Sequence, residues 1–232
     1  MLSRTAITFA SAALPLVFGS PVANIAPGVS LRDGVSGTST FYGGNLNGGA
    51  CSFTTMSSLP SGIYGTAFSG SSWDNAANCG ACLEVTGPSG NSITVMVVDK
   101  CPECDAGHLD LFQDAFAVLG ATSAGELATS YTPVACPITS PLVLHNKSGT
   151  SVYWFSMQVV NHSSPVASLE VSTDGGATWQ ATTRSDYNFF ENQSGFGKDT
   201  VDVRVTSTGG KSVVVNGVSV ASDSSVTAAG NF

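Results

Sequence analysis

Across the forty residues from Gly34 to Trp73 the chain carries no Asp, Glu, Lys or Arg. Such a segment offers no ionisable carboxylate or amine for proton transfer, so any acid–base pair must be drawn from elsewhere. Charge is scarce throughout: 10% of residues are charged, with 8 Lys and Arg against 16 Asp and Glu, a net of −8. Residues 37 to 137 hold one base, Lys100, against eight acids, and residues 140 to 223 hold five bases against seven. With no basic stripe, nucleic acid, anionic membranes and pectin-like polymers are excluded as partners, and a neutral or cationic ligand fits better. Beyond the N-terminal segment no run of ~18 apolar residues exists to span a bilayer. No cysteine follows Cys136.

What is present begins with "MLSRTAITFASAALPLVFGSPVA", in which one arginine precedes an apolar stretch of about fifteen residues and a small-residue region. It reads as a secretory signal peptide over residues 1–23, cleaved between 19 and 26, so the mature protein is expected to be secreted and extracellular. Residues 24–36 then form a flexible leader. The remainder is long for one domain and suits two of about a hundred residues each. The 26 glycines, with abundant Ser, Thr and Val, favour short strands and turns. The expected class is all-β.

Six cysteines, Cys51, Cys79, Cys82, Cys101, Cys104 and Cys136, all lie in the first half. Cys79-x2-Cys82 and Cys101-x2-Cys104 have the spacing of a four-thiolate zinc site. The signal peptide reverses that reading, because an oxidising exterior turns an even cysteine count into disulfides. No metal and no cofactor are therefore expected. Three bridges can be drawn in fifteen ways, among which spacing does not choose.

From Gly37 short strands follow one another: "TSTFYG", "YGTAFS", "CLEVTG", "SITVMVVD" and "YTPVAC". In "SITVMVVD" both parities are apolar, as in a strand buried on both faces, and Asp99 ends it. After Asp110, Leu111, Ala115, Val118 and Leu119 fall at helical spacing, with Gly120 as C-cap. Past "CPITSP" longer alternating runs carry the turn signals Asp174-Gly175-Gly176 and Gly209-Gly210, the chemistry of hairpins in a sandwich. The expected boundaries are 37–138 for a barrel, 139–222 for a sandwich and 223–232 for a flexible tail.

Asp99 and Asp110 flank one cysteine-pinched loop and are the candidate site carboxylates. A glycosidase needs two carboxylates, an acid and a partner that attacks or holds a water. The uncharged first strands can add Thr40, Tyr42 and Asn45 as hydrogen-bonding groups but no base. Glu103 and Asp105 read as solvated loop charges. His108 and His162 read as hydrogen-bonded structural histidines, and Trp179 as core.

Taken together, "GTSTFYGG", "GGAC", "CGACLEVTGP", "VVDKCPECDAGHLDL", "YTPVACPI", "YWFSMQVVNHSSPVASLEVSTDGGATW" and "SDYNFF" resemble microbial, fungal-type expansin-like proteins over residues 37 to 220. The resemblance implies a six-stranded double-psi β-barrel followed by an immunoglobulin-like β-sandwich that binds carbohydrate. It implies a non-enzymatic, monomeric protein that binds an insoluble neutral polysaccharide such as cellulose, chitin or xylan, and loosens it without hydrolysis. Thr40, Asp99 and Asp110 match the groove, and Asp110 matches the catalytic acid of the related family-45 endoglucanases, whose base comes from the first strand. No carboxylate stands there in this chain. The Cys101–Cys104 bridge occupies a place where bacterial members carry a groove tyrosine; Cys51–Cys79 and Cys82–Cys136 are the other implied pairs. Trp154, Tyr187 and Tyr153 match an aromatic platform with Lys147 nearby. Strict alternation sends Tyr153 and Trp154 to opposite faces, so both are exposed only if the strand begins after them or bulges. Asn146, Asn161 and Asn192 each open a glycosylation sequon. The alternatives are a weak endoglucanase or lytic transglycosylase using Asp110 as sole acid, and a barwin-like defence or inhibitor protein.

Overall fold

The computed structural model describes residues 34–232. The expected signal peptide and most of the expected leader lie outside the described residues. Six strands close a barrel: β1 (Val35–Tyr42), β2 (Tyr64–Ser69), β3 (Cys82–Thr86), β4 (Ser92–Cys101), β5 (Leu109–Phe112) and β6 (Leu127–Val134). Their order is β1-β5-β2-β4-β3-β6. The pairs β1/β5 and β2/β4 are parallel and the others antiparallel, the mixed arrangement of a double-psi barrel. A short helix, α1 (Gln113–Leu119), follows β5 directly.

The barrel core gathers Val95, Val97, Leu109, Leu111, Phe116 and Leu83. Val95 to Val98 are all buried, as a run apolar at both parities requires. The strand does not stop at Asp99, however. It continues to Cys101, and the register with β2 shifts so that Thr66 faces Val97 while Ala67 faces Asp99. Val98 is the extra residue of a bulge, a device that re-aims the side chains beyond it. Leu111 belongs to β5 and not to the helix, and Val118 is 45% exposed. Gly120 caps α1 with extended backbone at φ −174°; here the glycine makes room for Leu127, whose side chain would lie 2.8 Å from an added Cβ.

The sulfurs are engaged as Cys51–Cys79, Cys82–Cys136 and Cys101–Cys104, which leaves none for zinc. In the chain-entropy view the bridge spanning 54 residues contributes roughly 4 kcal/mol and that spanning 3 about 1.5 kcal/mol.

Two further sheets follow. Their strands are β7 (Val143–Asn146), β8 (Phe155–Val160), β9 (Val166–Ser172), β10 (Gln180–Ala181), β11 (Thr183–Arg184), β12 (Phe190–Asn192), β13 (Thr200–Ser207), β14 (Ser212–Ser219) and β15 (Ser225–Thr227). One sheet runs β10-β9-β13-β14 and the other β11-β12-β8-β7-β15. Phe155, Met157, Val159, Val171, Val203 and Phe190 fill the space between them. Every residue of β8 is buried, because its other face meets the barrel. Val160 joins the barrel core, and Gln158 Nε2 donates to the Cys51 carbonyl at 2.9 Å.

The ends differ from the sequence reading. Gly34 to Ser36 are not all leader, since β1 begins at Val35. The segment 223–232 is not a free tail: β15 pairs with β7, Ala228 is 5% exposed, and Asn231 donates to the carbonyls of Ser140 and Asn161. Small Ser, Thr and Ala side chains give little hydrophobic signal, while backbone pairing and Val226 on the sandwich core hold the segment in place. Trp179 is not core either; it is half-exposed, with the Arg204 guanidinium 4.5 Å from its ring centre.

Candidate functional site

A groove and a platform

Four strands bring the groove residues into one row. Thr40 on β1 is opposite Asp110 on β5, Asp110 is opposite Ala67 on β2, and Ala67 is opposite Asp99 on β4. Ala67, a methyl group at 3% exposure, is the floor between the two aspartates. Two strand spacings separate the aspartate α-carbons by roughly 10 Å.

Their hydrogen bonds assign them different work. Asp99 Oδ1 accepts the backbone N–H groups of Ala50 at 2.7 Å and Lys100 at 2.8 Å, and Oδ2 accepts the Tyr42 hydroxyl at 3.2 Å. Three of its roughly four acceptor sites are thus filled by its own chain. Gly49 allows the loop to lie this close, since an added Cβ would sit 2.4 Å from the Asn45 carbonyl and 3.0 Å from Asp99 Cγ. Burial, and then the Asp99 charge, push the Tyr42 hydroxyl above its ordinary value, so it remains a donor. Asn45 is exposed and caps its own turn by accepting Gly48 N–H at 2.9 Å.

Asp110 is the freer group. Thr40 donates to Oδ1 at 2.7 Å, and Oδ2 has no partner among the described residues. With Thr40 donating, its oxygen accepts from His108 Nε2–H at 2.9 Å, which leaves His108 Nδ1 to accept the Thr38 hydroxyl at 3.2 Å. His108 therefore orients Thr40, and Thr40 orients Asp110. Glu103 and Asp105 are exposed.

The platform lies on the β11-β12-β8-β7-β15 sheet. Ser151 and Trp154 form an isolated bridge that closes a turn, and β8 begins only at Phe155. Tyr153 and Trp154 thereby escape strand alternation: Tyr153 is 80% exposed and Trp154 half-exposed. The Lys147 ammonium lies 5.2 Å from the Tyr187 ring centre, 5.6 Å from Trp154 and 5.9 Å from Phe189. Phe189, buried, is the floor beneath Tyr187, with ring centres 5.9 Å apart. The Tyr187 hydroxyl donates to Glu191 Oε1 at 2.5 Å, and Ser156 donates to the same oxygen at 3.0 Å. Burial, and then that carboxylate, raise the Tyr187 hydroxyl above its ordinary value. Sequence reading missed Phe189 and Glu191, although both share the parity of Tyr187 in "SDYNFFEN".

A latch joins the two regions. Trp73 Nε1 donates to the Asp186 carbonyl at 3.0 Å, and Lys100 Nζ lies 3.9 Å from the Asp186 carboxylate and 5.5 Å from the Trp73 ring centre. Lys100 is the residue after Asp99, and Asp186 the residue before Tyr187. Asp186 thus ties the end of the groove strand to the start of the platform segment, beside the contacts that Gln158 and Asn188 make with the Cys51 carbonyl. His162 is buried against Gly80, where an added Cβ would lie 2.4 Å from the imidazole.

The three sequons are not equivalent. Asn146 is 1% exposed, and the two N–H groups of its Nδ2 are shared among the carbonyls of Ser219 and Ala221 and Ser224 Oγ. A glycan cannot be carried there in the folded protein. Asn161 Nδ2 is bonded to Ser140 and Pro141. Asn192 uses only Oδ1, accepting Ser194 N–H at 3.0 Å.

Comparison with known proteins

The fold and the groove-plus-platform surface define a double-psi β-barrel protein with an appended two-sheet sandwich. The family model described as "Lytic transglycolase" matches residues 65–131, most of the barrel. Expansin-YoaJ of Bacillus subtilis (strain 168) is 34% identical over 181 residues, which is 76% of this chain and 75% of the relative. Expansin-like protein 1 of Dictyostelium discoideum is 30% identical over 189 residues; the match covers 78% of this chain and 66% of the relative's length. A solved structure of a mutant Clavibacter michiganensis expansin in complex with cellohexaose superposes with TM-score 0.76 at 32% identity, covering 86% of this chain and 98% of that one. The chain belongs to the expansin family.

Proposed function

We propose that this protein is secreted, holds a neutral β-linked glucan such as cellulose on its aromatic platform, and loosens the packing of that polymer from the barrel groove without cutting it. One observation carries the reading: of the two groove carboxylates, Asp110 has an oxygen free for a ligand while Asp99 is tied to Tyr42, Ala50 and Lys100. An acid with no free second carboxylate lacks the partner that hydrolysis of either stereochemistry requires. It retains the means to accept hydrogen bonds from sugar hydroxyls. On the other surface Trp154, Tyr187 and Tyr153 offer ring faces to sugar C–H groups, and Lys147 offers N–H donors among them. A net charge of −8 suits an uncharged polymer. The cellohexaose complex of the Clavibacter michiganensis expansin supports the choice of a glucan.

In this mechanism the platform fixes one chain, and Asp110, oriented by Thr40 and His108, competes for hydroxyls that otherwise bond neighbouring chains. The test is a pull-down on cellulose, chitin and xylan with product analysis of the same supernatants, using the wild type, Asp110→Asn and Trp154→Ala. Asp110→Asn keeps binding and loses loosening, whereas Trp154→Ala loses binding. Equal loss of binding in both would overturn the division of labour.

The barrel's match to the "Lytic transglycolase" model favours one second reading, glycan cleavage with Asp110 as sole acid and a sugar hydroxyl as internal nucleophile. Anhydro-sugar products that vanish in Asp110→Asn would establish it.

A further inference from the structure

Beside the two-residue edge strand β11 lies an open cavity of about 370 Å³, in the lower part of the range for small-ligand sites. Thr183, Arg184, Ser185, Glu191, Asn192 and Gln193 line it. It adjoins the platform through one cross-strand row: Ser156 on β8 is opposite Glu191 on β12, which is opposite Thr183 on β11. Glu191 also holds the Tyr187 hydroxyl, and Ser185, two residues before Tyr187, closes the Tyr187 turn by accepting Phe189 N–H at 3.1 Å. The cavity therefore borders the hydroxyl edge of the Tyr187 ring.

Its chemistry differs from that of the platform. No aromatic ring is among its lining residues, so the cavity cannot continue a stacked chain. It presents hydroxyl, amide and carboxylate groups, which suit sugar hydroxyls met edge-on. Arg184 is not a free anion trap, because its Nη1 donates to the Val166 carbonyl and its Nη2 to Asn188 Oδ1, both at 2.8 Å. With the Glu191 carboxylate in the wall, a uronic acid is disfavoured. We propose that this cavity is a branch subsite, taking a single neutral sugar carried as a side substituent on the glucan that lies across Trp154 and Tyr187. This rests on the polysaccharide-binding reading above.

The test uses protein made without N-glycans, because Asn192 lines the cavity. A linear cello-oligosaccharide and the same backbone bearing single xylosyl branches are titrated calorimetrically. The branched probe binds wild type about 5- to 10-fold more tightly, the worth of one to two net hydrogen bonds. The double substitution Thr183→Val/Asn192→Leu removes that preference and leaves the linear affinity within about twofold. Equal affinity of wild type for both probes, or a preference that survives the double substitution, overturns the subsite while leaving the platform reading standing. Failure of wild type to bind either probe overturns both. Saturation-transfer NMR on the wild type, which needs no variant, shows branch protons saturated as strongly as backbone protons; unsaturated branch protons overturn the subsite.

Discussion

Trp73 in the barrel donates its indole N–H to the backbone carbonyl of Asp186 in the sandwich at 3.0 Å, across 113 residues of sequence. The neighbouring Lys100–Asp186 ion pair is longer, 3.9 Å, and its side chains are 28% and 65% exposed. Exposed pairs of that kind contribute well under about 1 kcal/mol, whereas losing the donor to a half-buried carbonyl costs about 1 kcal/mol or more. Trp73→Phe is expected to lower stability more than Lys100→Met. Because β8 and its Gln158–Cys51 bond still hold barrel and sandwich together, the loss is local to the latch, with loosening reduced more than binding. Equal melting temperatures for wild type and Trp73→Phe would show that the latch does not hold the two regions.

The groove aspartates are separable by the same accounting. Asp99→Ala leaves two backbone N–H groups and the Tyr42 hydroxyl without their acceptor, an expected cost of about 2–4 kcal/mol. Asp110→Ala removes one bond from Thr40, an expected cost of about 1 kcal/mol or less, yet it abolishes loosening. Denaturant unfolding beside a wall-extension assay distinguishes the two. An Asp110 variant as unstable as the Asp99 variant would count against Asp110 as the ligand-facing group.

Much of this site is legible in the sequence. Thr40 and Asp110 stand in short motifs whose strands pair directly, so proximity follows from topology. Trp154 and Tyr153 were ambiguous only because alternation ignores the Ser151–Trp154 turn that ends before β8. What could not be read depends on distant contacts. Nothing local to Trp73, Lys100 or Asp186 marks them as partners. The bulge at Val98, which sets the aim of Asp99, leaves no trace in a run of valines. Asn146 looks like a surface polar residue and is a buried hydrogen-bond hub.

His162 makes stability depend on pH. Burial, and then the Arg184 charge, lower its imidazole from 6.5 to about 4 in the folded protein. The unfolded chain therefore takes up the proton first as pH falls. The stabilisation is complete above about 6.5, is lost progressively between 6.5 and 4, and amounts to about 3 kcal/mol in all. His145, also lowered by burial, adds to the slope in the same direction. Asp174, held down to about 2 by its hydrogen bonds to Thr178, acts only below about 4. Urea unfolding at pH 7, 5.5 and 4 should show the loss, and His162→Gln should shallow it; an unchanged slope would exclude His162 as its source.

Glycosylation separates the sequons. The two N–H groups of the Asn146 amide are shared among three acceptors at 1% exposure, so a glycan added during synthesis would block folding of the β7 to β15 region. Asn192, at the end of β12 with only its carbonyl oxygen engaged, tolerates one. Protein secreted from a host that N-glycosylates is expected to carry no glycan at Asn146, and one carried at Asn192 would stand in the cavity that Asn192 lines. Asn146→Gln should cost about 2–4 kcal/mol, because the longer amide cannot reach the same buried acceptors, while Asn192→Gln costs within about 0.5 kcal/mol. Peptide mapping of the folded, secreted fraction decides the matter, and a glycan on Asn146 in soluble protein would show that this part of the sandwich is open.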